Sequence, residues 1–148
     1  MPASPEVTEF RANFRLDELT VAEHGDWIIS VRPAQLTLGA MVVSTARGEL
    51  DLASVTPESG ADMTRAFATA ERLAKDVYGA VRINLACLMM KDPIVHFHVL
   101  PRYDHAVERY GHTWQDADWP GPPVFGPAPT SDEVLEQIVA DLRAAASG

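Results

Sequence analysis

Two histidines one residue apart, His96 and His98, are the side chains of this 148-residue chain best suited by type and spacing to do chemistry. They sit in Asp92-Pro93-Ile94-Val95-His96-Phe97-His98-Val99-Leu100-Pro101-Arg102-Tyr103, whose β-branched and aromatic content reads as a strand. Strand side chains alternate between faces, so Ile94, His96, His98 and Leu100 point one way and Val95, Phe97 and Val99 the other. An apolar stripe then faces a core, and two imidazoles about 7 Å apart along the strand face the opposite side. A packed strand holds such groups better than a loop does.

Three chemistries are open to this pair. The histidines can be structural, each satisfied by hydrogen bonds on a partly exposed sheet face. They can ligate a metal through neutral imidazole, which requires further donors. His105, Glu108 and His112 follow in sequence but in what reads as loop, and positions 102 and 103 are Arg and Tyr where a chelating carboxylate would be wanted. Or a neutral imidazole can attack an electrophilic phosphorus while its neighbour stabilises charge or delivers a proton.

The elements that must position the pair follow from pattern. Trp27–Arg32 is a strand by its β-branched content and breaks at Pro33. Leu36–Ser44 reads as a second strand, hairpin-paired with the first around Pro33-Ala34-Gln35, and Gly39 within it marks a bulge or a close backbone approach. Thr56 caps a long helix, Pro57 suits its first position, and Gly79 ends it. Within that helix Met63, Ala66, Phe67, Ala70, Leu73, Ala74 and Val77 form one apolar stripe, which must bury against the sheet. Ala80–Met89 reads as a third strand joined to the histidine strand by Met90-Lys91-Asp92-Pro93, short enough for an antiparallel pair. Phe10–Leu19 fits neither period and is expected to be irregular or a short strand, after a loose leader at Pro2–Glu6. Asp104–Asp118 reads as polar loop, and Trp119-Pro120-Gly121-Pro122-Pro123-Val124-Phe125-Gly126-Pro127 as an extended wrap, because proline excludes regular structure. Thr130-Ser131-Asp132-Glu133 opens a last helix, about residues 131–146, with Val134, Leu135, Ile138, Val139 and Leu142 on one side. The sum is an α+β fold: an antiparallel sheet with one long helix packed on a face and a C-terminal helix beside it.

Composition bounds the partners. At 148 residues a single domain spanning 1–148 is expected. A net charge of −9 with no basic stripe argues against a phosphate-tracking nucleic-acid binder, and the apolar runs fall short of the roughly 20 residues of a membrane span. The first residues lack a secretory pattern and Cys87 is the single cysteine, so a cytoplasmic protein is expected. Any phosphate must be held by a few local cations, amides or imidazoles.

Val95-His96-Phe97-His98-Val99-Leu100-Pro101-Arg102 resembles the signature of the histidine triad (HIT) superfamily, in which histidines alternate with hydrophobic residues before a proline. The resemblance extends to Pro93, to Asn84 on the preceding strand, to the glycine-containing Leu38–Val43 and to Asp118-Trp119-Pro120-Gly121-Pro122, which is similar to a tail in compact bacterial HIT-like proteins; it spans about residues 10–126. It implies hydrolysis or transfer of a nucleotidyl group from a dinucleoside polyphosphate or nucleoside phosphoramidate through a nucleotidyl-histidine. His96 matches the nucleophile and His98 the last histidine, which contacts the phosphate. Ile94 stands where the first triad histidine would be, leaving a dyad. The resemblance places Val42, Asn84, Arg32, Lys91 and Trp119 as substrate-binding residues. Arg32 occupies a place where relatives have a ribose-binding Asn, and it reads equally as a phosphate contact or a surface charge. Lys91 is a substitute cation or a turn residue, and Asn84 a ligand contact or a structural cap. Trp119 is a lid, a dimer anchor or packing for the tail. No resident metal or other cofactor is implied, although the substrate could arrive as a divalent-metal chelate, and a homodimer is expected. The alternatives are a nucleotide-binding regulatory module that has lost turnover with its first histidine, and a metal-binding α+β domain.

Overall fold

Five short segments pair into one sheet. In the computed structural model, which describes residues 4–148, these are β1 (Thr20–His24), β2 (Trp27–Val31), β3 (Met41–Thr45), β4 (Arg82–Ala86) and β5 (His96–Arg102). They pair antiparallel in the order β1-β2-β3-β5-β4. β3 and β5 are in register with Val42 opposite His98 and Ser44 opposite His96. Because the side-chain period is two, this register puts Ile28, Ser30, Val42, Ser44, His96 and His98 on one face. Trp27, Ile29, Val31, Met41, Val43, Phe97 and Val99 occupy the other.

The second face carries the main core, beneath α3 (Pro57–Tyr78) and α4 (Asp132–Ser147). The Thr56 hydroxyl accepts from the Ser59 amide to start α3, and Gly79 at φ 73° ends it in the left-handed conformation. Ala66, Ala70, Leu73 and Ala74 are its buried stripe, and the small side chains let the helix lie close on the strands. Gly39 is needed twice over: its φ is 81°, and a Cβ there would come within 2.7 Å of the Tyr78 ring at the end of α3. Ser131 caps α4 by accepting from Val134 N, and Val134, Leu135, Ile138, Val139 and Leu142 are all buried, as the pattern predicts.

Five expectations need correction. Phe10–Leu19 is neither irregular nor a strand: α1 (Pro5–Asn13) and α2 (Leu16–Leu19) occupy it, and β1 follows where no strand is expected. Of the leader, Pro2 and Ala3 lie outside the described residues, Ser4 caps α1, and Pro5 and Glu6 belong to it. α1 escapes the periodicity argument because it buries only Val7 and Phe10; its start was written in the Ser4 cap and Pro5. Leu36–Ala40 is loop and not strand, and the backbone groups at its far end are bonded by one side chain. Gln35 Nε2 donates to the carbonyls of Arg32 and Ala40, and Gln35 Oε1 accepts from the amides of Gly39 and Ala40. The strand expected over Ala80–Met89 covers only Arg82–Ala86. Within Asp104–Asp118 lies a hairpin, β6 (Val107–Arg109) and β7 (His112–Trp114), turned by Tyr110 and Gly111. Both turn residues have positive φ, the backbone a tight hairpin favours.

No helix among the described residues is long and apolar enough to cross a membrane.

Candidate active site

The face opposite the main core holds the imidazole pair, and α1 covers part of it. Val7, Phe10, Leu16, Ile28, Val42 and Ile94 form a second apolar cluster there. Phe10 and Phe14 stack at 4.4 Å, and their rings lie 5.0 and 5.8 Å from that of His96. The histidines are therefore far from half-exposed: His96 is 3% and His98 6% accessible. They are nevertheless not sealed in. A cavity of about 240 Å³ opens beside them, walled by Phe14, Arg32, the segment Leu88–Asp92 and Phe125.

Hydrogen bonds assign the protons. His96 Nδ1 lies 2.7 Å from the Ile94 carbonyl, which can only accept; the proton is therefore on Nδ1 and the lone pair on Nε2. His98 Nδ1 lies 3.2 Å from Arg32 Nε, which can only donate, so this ring carries its proton on Nε2. The ring centroids are 5.2 Å apart with planes at 77°. One ring thus offers a nucleophilic lone pair and its neighbour an N–H donor. Burial, then the Arg32 charge, then His96 hold the His98 pKa down at about 4, so this ring is neutral near pH 7. Burial also pulls the Arg32 guanidinium below its ordinary value.

The depressed His98 pKa has a consequence for stability. An unfolded histidine titrates near 6.5, so below that pH the unfolded chain takes up a proton that the folded chain refuses until about pH 4. Stability from this ring is complete above pH 6.5 and lost as pH falls toward 4, by about 3 kcal/mol. Urea unfolding of wild type and His98→Asn at pH 7 and near pH 4 measures it: the wild type should lose about 2–3 kcal/mol more than the variant. Equal losses in the two proteins would contradict the assigned state of the ring.

Of the residues anticipated from sequence, His96, His98, Arg32 and Lys91 share this cavity. Val42, fully buried and opposite His98 in register, belongs to the apolar cluster with Phe10 and Ile94 and does not line the cavity. Asn84 is not brought to the cavity. Its Oδ1 accepts from Arg102 Nη1 at 2.7 Å and its Nδ2 donates to Ile83 O, a structural role. Trp119 is also elsewhere: the Arg102 guanidinium sits 5.8 Å from its ring centre, and it borders a separate cavity with Tyr103, His105 and Asp116. Pattern reading missed Phe14, Asp92 and Phe125. Phe10 and Phe14 at i, i+4 were the available signal for the helical cover. Nothing local marked Phe125, which is 39% exposed and meets His98 edge-on at 5.5 Å and Arg32 at 5.7 Å.

Phe125 is carried there by an anchor at the far end of β5. Arg102 forms a two-pronged ion pair with Asp116, 2.6 Å at the shorter contact, with side chains only 3% and 2% exposed. Its Nη2 also donates to Gly121 O at 2.8 Å, fastening the proline-rich segment to the sheet. Burial alone would raise the Asp116 carboxyl, but bonds from Arg102 and the Tyr103 amide outweigh it and hold the pKa below its ordinary value.

A larger cavity of about 430 Å³, between β7 and the start of α4, contains neither imidazole. Among the described residues no three His, Cys, Asp or Glu side chains converge to hold a metal ion, and His105, Glu108 and His112 line no part of the imidazole cavity.

No protein-family model matches the sequence, and no curated protein does. Solved structures do match the fold. A histidine triad nucleotide-binding protein, described as hypothetical, from Sulfolobus tokodaii superposes with TM-score 0.72 at 13% identity, covering 97% of this chain and 92% of its own. A histidine triad protein of Sinorhizobium meliloti gives 0.65 at 21% identity, covering 88% and 92%. A zinc-bound histidine triad family protein of Mycobacterium smegmatis gives 0.66 at 21%, covering 94% and 92%. The chain therefore has the histidine triad fold. Within it, this chain presents two imidazoles on β5, with Ile94 preceding them in the alternation.

Proposed function

We propose that this protein hydrolyses or transfers a nucleotidyl group, with His96 as nucleophile and His98 as the donor that meets charge on the α-phosphate. The observation that carries the reading is the 2.7 Å bond from His96 Nδ1 to the Ile94 carbonyl, which aims the Nε2 lone pair away from the backbone. The neutral His98 N–H then serves as a preplaced donor for a phosphate oxygen, and Arg32 and Lys91 supply positive charge in a protein whose net charge is −9. Substrates of this class are dinucleoside polyphosphates and nucleoside phosphoramidates. The reaction has two steps: a nucleotidyl-His96 adduct forms, and water or another acceptor resolves it. We place the protein in the cytoplasm as a homodimer. β4 is an edge strand with Leu85 exposed, and Leu88 and Met90 follow it on the surface, which makes that edge a pairing surface.

A second reading has a specific observation behind it. Ile94 is fully buried among Phe10, Val42 and Ile28, so its position offers hydrocarbon where a third imidazole would stand, and a nucleotide-binding module without turnover fits that loss. Incubation with radiolabelled diadenosine polyphosphate and with adenosine phosphoramidate, followed by denaturing gel analysis of quenched protein, separates the two. An acid-labile nucleotidyl label at His96 with release of nucleoside monophosphate is the expected result. Saturable binding with neither label nor product would establish the module instead.

A further inference from the structure

We propose that Arg32 selects the leaving group, so that the substrate is a phosphoric anhydride of the nucleotide α-phosphate and not a phosphoramidate; this rests on the attack by His96 proposed above. Two sets of observations converge on it.

The first concerns protons. An amine departs from phosphorus only if it is protonated as the P–N bond breaks. The titratable groups lining the cavity are Arg32, Lys91, Asp92, His96 and His98. The ring proton of His96 is committed to the Ile94 carbonyl. His98 has a neutral imidazole N–H, a hydrogen-bond donor but a very weak acid, and burial beside Arg32 keeps it from taking a second proton. Asp92 accepts from the Asn13 amide, and a guanidinium and an ammonium are by their nature weak acids that serve as hydrogen-bond donors. Ile94 has no proton to give. The cavity thus has no strong acid for an amine.

The second concerns charge. The guanidinium of Arg32 gives Nε to His98 and Nη1 to the Ala34 carbonyl, while Nη2 takes no partner among the described residues. The face of Phe125 lies 5.7 Å from its centre. Every ion pair among the described residues involves other cations, and Lys91 on the same wall is likewise without a carboxylate partner. A half-buried cation in an acidic protein, unpaired and holding back a donor, suits a departing anion.

The steps balance without an added acid. The Nε2 lone pair of His96 forms a bond to the α-phosphorus, and the bond from phosphorus to the bridging oxygen breaks. That oxygen keeps the electron pair and leaves as a terminal oxygen of the second phosphate fragment, its charge met by Arg32 and Lys91. The nucleotidyl-imidazole is cationic because Nδ1 retains its proton. Water then bonds to phosphorus, the P–N pair returns to Nε2, and the surplus proton passes to solvent.

Steady-state kinetics with diadenosine tetraphosphate and adenosine 5′-phosphoramidate test this on wild type, Arg32→Gln, Arg32→Lys and His96→Asn, with melting temperatures to confirm folding. The wild type should prefer the tetraphosphate by about 10²-fold or more in kcat/KM. Arg32→Gln should lose about 10²-fold on the tetraphosphate, chiefly in kcat, with a several-fold smaller loss on the phosphoramidate. Arg32→Lys should recover part of the loss, since the charge returns without the fork. Equal or faster His96-dependent turnover of the phosphoramidate overturns the assignment of Arg32 while leaving the nucleotidyl-histidine reading intact. Equal losses on both substrates in Arg32→Gln overturn it as well. Turnover of neither substrate, or turnover that survives in His96→Asn, overturns both.

Discussion

Replacing His96 with asparagine is expected to lower kcat by about 10³-fold or more while leaving the protein folded. Asparagine keeps an amide N–H near the position of Nδ1, so the Ile94 carbonyl, bonded at 2.7 Å in the wild type, retains a donor. What disappears is the atom on the far side of the ring, Nε2, with its lone pair. The choice of variant matters because His96 is 3% exposed and packed beside Phe10 and Phe14. Alanine would empty that space and orphan the carbonyl, costing about 1–3 kcal/mol from the unpaired group alone and confusing stability with catalysis. Initial rates and a denaturant titration on the same preparations are the measurement. Retention of more than a tenth of the wild-type kcat in His96→Asn would remove this residue from the chemistry.

The largest stability effect is expected at the other end of β5. Arg102→Met should cost about 3–5 kcal/mol in urea unfolding, because it leaves the Asp116 carboxylate 2% exposed without its counter-charge. It also strips partners from Asn84 Oδ1 and Gly121 O, each within 2.8 Å of the guanidinium. Adding Asp116→Leu to Arg102→Met should recover a large part of the loss, since an apolar pair owes no desolvation penalty. A cost below about 1 kcal/mol for the single variant would mean that water reaches the pair. The variant should also weaken activity. With Gly121 released, the segment carrying Phe125 loses its attachment to the sheet, and Phe125 forms the wall against His98 and Arg32. A stability defect and a catalytic defect from a residue at the opposite end of the strand would link the anchor to the site.

Much of the scaffold was legible because each signal was local. Thr56-Pro57 and Gly79 mark the ends of α3 by cap chemistry, and the alternation in β5 assigns its two faces without knowledge of its neighbours. α1 and β1 were not legible. A helix that buries two side chains has no stripe to detect, and Phe10–Leu19 joins the end of one helix to a second, so no single period runs through it. Gln35 shows a different failure: Leu36–Ala40, expected as strand, is loop, and one side chain bonds the Gly39 and Ala40 amides and the Ala40 carbonyl in place of a neighbouring strand. The site divides along the same line. His96 and His98 share a face by period alone, whereas Arg32, Phe14 and Phe125 converge on them from three distant segments.

By itself the sequence determined the strand that presents two adjacent imidazoles, the isoleucine at position 94 on their face and the acidic character that leaves few cations to meet an anion. Those are properties of residue type and short spacing, and they survive any arrangement of the rest. Only the tertiary structure decided which ring nitrogen is free, that Asn84 and Trp119 serve the Arg102 anchor, and that Arg32 stands unpaired beside His98. Each of these depends on groups far apart in the chain meeting within hydrogen-bonding or van der Waals reach, and such meetings are set by packing, which has no period to read.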